Sequence, residues 1–394
     1  MSPRMLQWLL SLLFFCLNLG SVVVYAITAD SLGVDLKLTT SQSGSLGGAY
    51  FIAYALSQLL LGSSLGRIPP RLLLGATALI AAGGAFLLSV ARSFELAMLS
   101  RLLMGVGFGT AMVGVVFVIC QQFSNKFTLM LSLSQGIATA TGATLGLLAP
   151  LPILQNFRQP FLITAVLLLI VSLLMFVFIK AGNHSSEDSD QIKNQASLSS
   201  KLLNILGNGQ FWLGTIYFTG LFAPFLAYAD LWNIKFQMDV FGSSSSMAAM
   251  INSGATWGLA IGGIITGIWA NKVGLIMPAR ICAFMSFIVM GILYTKPLPG
   301  LAVPLMIVLG FFMGAAPLGL AVMNANVPEK LQGLASPILL TVVFLSGGVL
   351  MSAVGKSLAD LPVHEFGTYQ AGLNWFLTPI GIAAAASLMM KPGR

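Results

Sequence analysis

The chain has 394 residues, of which 57% are hydrophobic and only 8% are charged. Soluble domains carry about 25% charged residues, and their surfaces need more polar cover than this composition supplies. These values exclude a soluble globular protein, although the formal net charge of +8 alone would also suit a nucleic-acid partner.

Twelve predominantly apolar stretches follow one another along the chain, and about 20 such residues are enough for a helix to cross a bilayer. The predicted spans cover 6–29, 44–65, 72–91, 96–119, 127–151, 160–180, 211–230, 246–270, 277–295, 300–322, 332–354 and 369–390. The first span follows Arg4 and so resembles a secretory signal, but it is longer than the apolar core of a signal. We therefore expect it to remain in the protein as the first transmembrane helix.

The segment 181–208 interrupts the apolar pattern with the polar, Ser-rich run HSSEDSDQIKNQASLSSK. Such a composition is typical of a flexible linker. It predicts two domains, an N-terminal bundle of six helices in residues 1–180 and a C-terminal bundle of six helices in residues 209–394, with a cytoplasmic linker between them.

The two predicted bundles repeat each other, because span starts at 6, 72, 96 and 127 recur about 205 residues later. Four pairs of glycines keep the same spacing: Gly62 with Gly267, Gly105 with Gly310, Gly109 with Gly314, and Gly142 with Gly347. Parallel repeats of this kind place a solute site where the two halves meet, near the middle of the membrane.

The positive charges are distributed unevenly about the spans, with twelve Lys and Arg on one side, six on the other and Arg101 within a span. This bias predicts cytoplasmic N and C termini, and it explains the basic net charge without a nucleic-acid partner. Cys16, Cys120 and Cys282 lie in apolar spans without paired spacing, and both histidines lie in predicted loops. We therefore expect no disulfide, no metal site and no cofactor.

Two loops share a glycine-rich and basic pattern: GSSLGRIPPR after the second span and GIWANKVG after the eighth. The pattern resembles the loop motif of the major facilitator superfamily, Gly-x-Leu-Ala-Asp-Arg-x-Gly-Arg-Arg. The matching positions are Gly62, Arg67 and Arg71 in the first copy and Gly267, Ala270, Lys272 and Gly274 in the second. The Asp position holds Gly66 in one copy and Asn271 in the other, so the resemblance implies a weaker or different cytoplasmic lock at these gate loops.

Further stretches resemble the same family at the expected places. RLLMGVGFG, from Arg101 to Gly109, resembles the fourth-helix pattern, and NFRQPF, from Asn156 to Phe161, resembles the start of the sixth helix. YALSQLLLG (Tyr54 to Gly62) and LWNIKFQMDVFG (Leu231 to Gly242) resemble a bacterial branch of sugar-phosphate and organic-solute permeases. The resemblance implies an all-α membrane protein whose 12 transmembrane helices form two pseudo-symmetric six-helix bundles, the major facilitator fold.

Arg101 is the charged residue that the predicted spans do not explain. An arginine within a span costs at least about 2.5 kcal/mol, so it should face protein or a water-filled cavity. It either takes part in proton coupling or solute binding, or clamps helices as a hydrogen-bond donor. We expect its partner to be Asp30, at the outer end of the first helix, and we hypothesise that Asp30 binds and releases the coupling proton. The alternative is that Asp30 is a solvated charge at a helix end.

Polar and aromatic residues on the helices that line such cavities are candidates for solute binding, because small-molecule sites combine an apolar cavity with a few convergent polar groups. The candidates are Tyr25, Tyr54, Gln58, Gln135, Tyr228, Asp230, Asn252 and Trp257. Each could instead serve helix packing, and Asp230 could form a rim salt bridge with Lys235. No arginine lies on helices one and seven, which argues against an organophosphate solute.

The resemblance implies a secondary active transporter that moves a small organic solute by alternating access. We expect proton-coupled uptake of a nutrient or metabolite; the alternative is proton-driven efflux of a lipophilic compound or secreted metabolite. An enzyme would need a reactive group within the membrane, such as a His or paired carboxylates, and none is visible, so we expect no enzymatic activity. We further expect a monomer in a bacterial inner membrane, with the solute, protons and lipid as its partners.

Overall fold

The computed structural model describes residues 2–62, 64, 68–179, 203–296, 298–359, 361 and 365–392. Every regular element within these ranges is helical. The longer helices are α1 (Pro3–Asp35), α2 (Thr40–Gly62), α3 (Pro70–Ser89), α4 (Phe94–Phe108), α5 (Ala111–Gln122), α6 (Phe127–Leu147), α7 (Arg158–Phe178), α8 (Gly209–Ala227), α9 (Asn233–Phe241), α10 (Ser245–Val273), α11 (Ile276–Tyr294), α12 (Ala302–Met313), α13 (Leu318–Asn326), α14 (Glu329–Ser357) and α15 (Phe366–Met389). Most of the predicted linker 181–208 lies outside the described residues, so the boundaries of the two predicted domains stay predictions.

Eleven helical segments in the described part of the chain are long and apolar enough to cross a membrane. Three of them combine consecutive helices: α4 with α5, α8 with α9, and α12 with α13. The 21-residue helix α6, at the position of the fifth predicted span, is not among the eleven, because Ser, Thr, Gln and Gly interrupt its apolar residues. The segments follow the order of the predicted spans, and the predicted all-α membrane fold is confirmed.

The same contacts recur in both halves of the sequence. α4 packs on α2 so closely that a methyl group added at Gly105 would lie 2.4 Å from the Tyr50 carbonyl oxygen. α12 packs on α10 in the same way, and a methyl group at Gly310 would lie 2.0 Å from the Ala255 carbonyl oxygen. Small residues allow helices to approach this closely in lipid. Because one sequence shift relates both partners of each contact, the two bundles are pseudo-symmetric in packing as well as in sequence.

We call the face at which α1 begins and α15 ends the terminal face, and the opposite face the distal face. At the distal face α2 lies against α14, and a methyl group at Gly48 would lie 2.3 Å from the Gly348 carbonyl oxygen. α6 and α10 also meet there, where Gly146 lies against Ser253. At the terminal face α5 packs against α1, α2, α3 and α6, whereas α13 packs against α8, α11 and α14. The halves are therefore closed against each other at the distal face.

Several helices extend beyond the predicted spans, and three of these extensions bear on the site. α1 continues to Asp35, so Asp30 lies within the helix rather than at its end. The seventh segment continues from α8 through a π-helical turn, Tyr228–Trp232, into α9. α10 continues to Val273, so most of the predicted loop GIWANKVG is helical. The apolar pattern ended earlier because these last turns pack against other protein segments or reach solvent rather than lipid.

Candidate functional site

Arg101 is the most deeply buried charged side chain in the described residues, with 1% of its surface exposed. Its Nε donates a hydrogen bond of 3.2 Å to the Leu46 carbonyl oxygen of α2. Its guanidinium carbon lies 3.9 Å from the Tyr25 ring centroid and 4.4 Å from that of Tyr50, which are cation–π distances. One terminal nitrogen, Nη1, is buried without a hydrogen-bond partner. Since an unpaired buried charge is costly, this nitrogen is suited to an additional acceptor.

The tyrosines that flank Arg101 belong to a polar cluster between α1 and α2. The Tyr50 hydroxyl donates to Asn18 Oδ1, and the Tyr25 hydroxyl donates to the Ser43 carbonyl oxygen at 3.3 Å. The Tyr50 and Tyr54 rings are stacked with centroids 6.2 Å apart. Tyr25 and Tyr54 were predicted site residues, whereas Tyr50 and Asn18 were missed. A polar residue within the apolar first span and a tyrosine one helical turn from Tyr54 were the available signals.

Asp230 lies in the π-helical turn, which packs against α1 and α2 from the other half of the protein. Beside it, Leu231 contacts Gly47, and the Trp232 ring lies against Gly44. The Leu46 carbonyl that holds Arg101 belongs to the same stretch of α2. Asp230 and Arg101 form no direct ion pair in the described residues. The turn thus brings a carboxylate of the second half towards the buried cation of the first.

The sequence analysis predicted a partner for Arg101 and a possible one for Asp230. Asp30 is half-buried and lies within α1 rather than at its end. The expected rim salt bridge between Asp230 and Lys235 is also not formed in the described part of the chain. The ion pair recorded there joins Arg158 to Asp35. The pairing of Asp30 with Arg101 and the coupling role of Asp30 stay predictions.

Asn252 ties the π-helical turn to α10. Its Nδ2 donates to the Ala229 carbonyl oxygen at 2.6 Å, and its Oδ1 accepts from Asn233 Nδ2 at 2.7 Å. Gln237 Nε2 donates to Asn233 Oδ1 at 3.3 Å. The predicted solute-binding residue Asn252 therefore has its amide engaged on both sides and fixes the backbone next to Asp230. Asn233 and Gln237 were missed because the predicted seventh span ended before them.

An aromatic contact closes the interface at about half its depth. The Tyr54 and Phe344 ring centroids lie 4.9 Å apart across the two halves. Tyr54 follows the distal start of α2, at Thr40, by 14 residues, which corresponds to about 20 Å of helix. Gln58, one turn closer to the terminal face, is buried, and its Oε1 has no hydrogen-bond partner. Tyr54 and Gln58 therefore lie where a cavity open to the terminal face would end.

The other predicted solute-binding residues are more scattered. Gln135 is exposed on α6 and Trp257 is half-buried on α10. Tyr228 is buried in the second half, its hydroxyl has no hydrogen-bond partner, and its ring centroid lies 5.2 Å from that of Phe376. The structure brings Tyr25 and Tyr54 together but does not join them with Gln135, Tyr228 and Trp257 into one pocket. Their contact with a solute stays a prediction.

The predicted gate-loop residues lie at the terminal face. Gly62 is the last residue of α2, Arg71 is exposed in the first turn of α3, and Arg67 lies outside the described residues. Asn271 and Lys272 are exposed in the last turn of α10, with Gly267 half-buried one turn before them. Gly274, with a φ of +87°, ends that helix. In the described part of the chain no three His, Cys, Asp or Glu side chains come together as a metal site.

A model of the Major Facilitator Superfamily matches residues 9–352. The chain belongs to the Major Facilitator Superfamily. This membership confirms the resemblance predicted from the loop and fourth-helix motifs. It indicates a transporter rather than an enzyme, and the apolar helices make it a multi-pass membrane protein. No curated protein matches the sequence.

Solved structures of major facilitator transporters share the fold over nearly the whole chain. A bacterial homologue of the human lysosomal transporter Spinster, inward-facing and unoccupied, is 14% identical with a TM-score of 0.76, over 99% of this chain and 97% of its own. The nucleoside transporter NupG is 16% identical with a TM-score of 0.71, over 99% and 98%. A D-xylose–proton symporter is 16% identical with a TM-score of 0.72, over 100% and 98%. Identities this low show the fold alone.

Proposed function

We propose that this protein is a proton-coupled secondary transporter that imports a small organic nutrient or metabolite by alternating access. The main observation in support is that the two halves contact each other from the distal face to about the middle of the membrane. They touch from the Gly48–Gly348 contact at the distal face to the Tyr54–Phe344 contact at mid-depth. At the terminal face α5 and α13 pack within their own halves. A transporter that rocks about a central site passes through such a one-sided state.

The composition of the mid-depth region supports a small solute with polar groups. Tyr54 and Phe344 offer aromatic faces, and Gln58 has an unpartnered amide oxygen beside them. A few polar groups in an apolar surround are usual for small-molecule sites. Uncharged nutrients such as nucleosides and sugars suit these groups, and among the structural neighbours NupG is a nucleoside transporter and another is a D-xylose–proton symporter.

The proposed function also implies a location and an orientation in the membrane. The protein lies in a bacterial inner membrane as a monomer, and the terminal face, which carries most of the Lys and Arg, faces the cytoplasm. Closure at the distal face then makes this conformation open towards the cytoplasm. Asp30 is the group that we propose binds and releases the coupling proton.

The first experiment is a thermal-stability screen of the purified protein against nucleosides, sugars, amino acids, carboxylates and lipophilic cations. A ligand at about 100 times its dissociation constant stabilises the native state by roughly 2.7 kcal/mol, which a thermal shift resolves. A hit among the nutrients supports import. A hit confined to lipophilic cations contradicts the proposal and favours proton-driven efflux.

The second experiment measures flux of the identified solute in proteoliposomes with an imposed proton gradient. Uphill accumulation that follows the gradient supports coupling, and flux that ignores the gradient contradicts it. The Asp30→Asn variant then tests the predicted coupling group. If it accumulates solute uphill with unchanged pH dependence, Asp30 is not that group.

A further inference from the structure

A groove lies between α14 and α15 on the outer side of the second half. Both helices pack against α8, and they make little contact with each other. The groove has a volume of about 470 Å³, which is within the range of small-molecule sites. It is lined by Leu350, Asn374, Trp375, Thr378, Pro379 and Ile382. Trp375 is 44% exposed and Ile382 is 53% exposed, so the groove opens away from the protein, towards the lipid.

The groove lies within the hydrocarbon part of the membrane. α15 has 24 residues, which make about 36 Å of helix, and the hydrocarbon core covers about 30 Å of this length. Asn374 follows the helix start at Phe366 by eight residues, or about 12 Å, and Pro379 lies a further five residues along the helix. Asn374 therefore lies roughly 9 Å below the distal surface of the core, and Pro379 lies near its middle.

Several polar groups line this groove although they lie at the depth of lipid chains. The Asn374 side chain is exposed, and neither its amide nor the Trp375 indole N–H has a hydrogen-bond partner among the described residues. Pro379 has no N–H, so it cannot donate the usual helical bond to the Trp375 carbonyl oxygen. The Thr378 hydroxyl, in contrast, donates to the Asn374 carbonyl oxygen at 2.8 Å. An unpaired polar group is costly in lipid, because no water replaces its partner.

We infer that this groove binds a lipid-soluble ring compound that bears a hydroxyl group, a class to which long-chain alkylphenols belong. A hydroxyl both donates and accepts hydrogen bonds, so it matches the Asn374 amide, the Trp375 indole N–H and the Trp375 carbonyl oxygen. The exposed Trp375 ring offers a flat face to a second ring, and Leu350 and Ile382 offer an apolar surface to an alkyl chain. The inference concerns the lipid-facing side of the protein and does not rest on the proposed transport function.

Two other occupants suit the groove less well. A phospholipid keeps its polar groups outside the hydrocarbon core, so its chains bring no hydrogen-bonding group to the depth of Asn374. A second copy of the chain in a twofold dimer would place the same concave surface against itself. A small molecule that enters from the lipid fills the concave space and also reaches the polar groups within it.

The test measures quenching of Trp375 fluorescence in protein reconstituted into phosphatidylcholine vesicles. The probe is a long-chain alkylphenol with bromine on its ring, because bromine quenches an indole that it contacts, and it is used at about pH 6, where a phenol is neutral. The control compound is the brominated alkylbenzene without the hydroxyl. We expect saturable quenching by the phenol at a membrane concentration roughly three- to tenfold lower than by the alkylbenzene, the effect of one hydrogen bond in a membrane. Equal quenching by both compounds would show that any lipid chain fills the groove, and it would overturn the inference.

Three variants locate the site. Trp375→Phe should remove the saturable quenching. Trp212→Phe, the matched control at an exposed tryptophan whose indole already donates to the Leu206 carbonyl oxygen, should keep it. Asn374→Leu, a change to an apolar residue of similar size, should raise the half-saturating concentration of the phenol to that of the alkylbenzene and leave the alkylbenzene value unchanged. Saturable quenching that survives Trp375→Phe, or a preference for the phenol that survives Asn374→Leu, contradicts the inference.

The oligomeric state tests the second copy as an occupant. Light scattering of the detergent-solubilised protein without probe should give the same mass for the parent and for Asn374→Leu. A parent dimer that Asn374→Leu converts to a monomer would show that another copy of the chain covers the groove, and it would overturn the inference.

Discussion

The guanidinium of Arg101 lies over two tyrosine rings, so its planar shape is as important as its charge. Lysine in its place would keep the charge but lose the planar stack on Tyr25 and Tyr50 and the Nε bond to Leu46. We expect Arg101→Lys to lower the free energy of unfolding by about 2 kcal/mol, the scale of a charged hydrogen bond. Thermal unfolding in detergent measures the loss. Arg71→Lys, at an exposed position of α3, is the control; equal behaviour of the two variants would refute the stacking argument.

The buried hydrogen bond from the Tyr50 hydroxyl to Asn18 Oδ1 should contribute to the stability of the fold. Asn18→Leu leaves the buried Tyr50 hydroxyl without its acceptor, which costs about 1–3 kcal/mol, whereas Tyr50→Phe removes the hydroxyl itself and costs about 1 kcal/mol. The double variant should lose less stability than the sum of the two single variants, because both remove one bond. Denaturation curves of the three variants check the order. Strict additivity would mean that the bond does not contribute to stability.

Single residues were predictable from the sequence where their chemistry conflicted with their surroundings. Arg101 stood out because a charge in an apolar span demands an explanation, and Tyr25 and Tyr54 because they are polar aromatics on cavity-lining helices. The contacts of Arg101 with Tyr50 and the Leu46 carbonyl were not predictable, because similar depth on two helices does not tell which of their faces meet. Asp230 was predicted as a candidate for solute binding, but its place in a π-helical turn that packs against the first half was not predictable, because such a turn leaves no periodic signal in the sequence.

Helix ends were harder to predict than helices for a related physical reason. Hydropathy marks the part of a helix that meets lipid, whereas α9 and the last turns of α1 and α10 contain polar residues that meet protein or solvent. Asn233 and Gln237 therefore fell outside the predicted seventh span although they lie within its helical continuation. The glycines predicted that some helices approach each other closely, but they did not predict which helices form each contact.

α2 and α14 contact each other so closely at the distal face that a larger residue at Gly48 should push them apart. A methyl group at Gly48 would lie 2.1 Å from Ser352 Oγ and 2.3 Å from the Gly348 carbonyl oxygen, and the backbone at Gly348 cannot yield without moving α14. Overpacking of this kind costs about 1–3 kcal/mol, here in the distal-closed state. Ser43, 6% exposed on α2 near this contact, can be changed to cysteine in a background in which Cys16, Cys120 and Cys282 are alanine. Gly48→Ala should then speed the labelling of that cysteine by a membrane-impermeant maleimide. Gly83→Ala, where the added methyl meets nothing within 4 Å, should leave the rate unchanged; a similar change in both variants would contradict the argument.

For the whole molecule, the twofold repeat was the strongest prediction from sequence. The glycine pairs Gly105 with Gly310 and Gly109 with Gly314 mark equivalent contacts and equivalent breaks in the fourth and tenth segments. Which face is closed could not be predicted, because a rocking transporter uses one sequence for both conformations and small energy differences choose between them. The identity of the solute could not be predicted either, because different nutrients are bound by similar polar and aromatic groups.

Orientation in the membrane decides what distal closure means for transport. The uneven distribution of Lys and Arg predicts that the terminal face is cytoplasmic. Single cysteines at the distal positions Val34 (74% exposed) and Leu298 (75%) should then react with an impermeant maleimide in intact cells. A cysteine at Leu203, 70% exposed near the start of the second half, should react only after the membrane is permeabilised. The reverse pattern would place both termini outside and make the distal closure the cytoplasmic one, so that this conformation would be open to the outside instead.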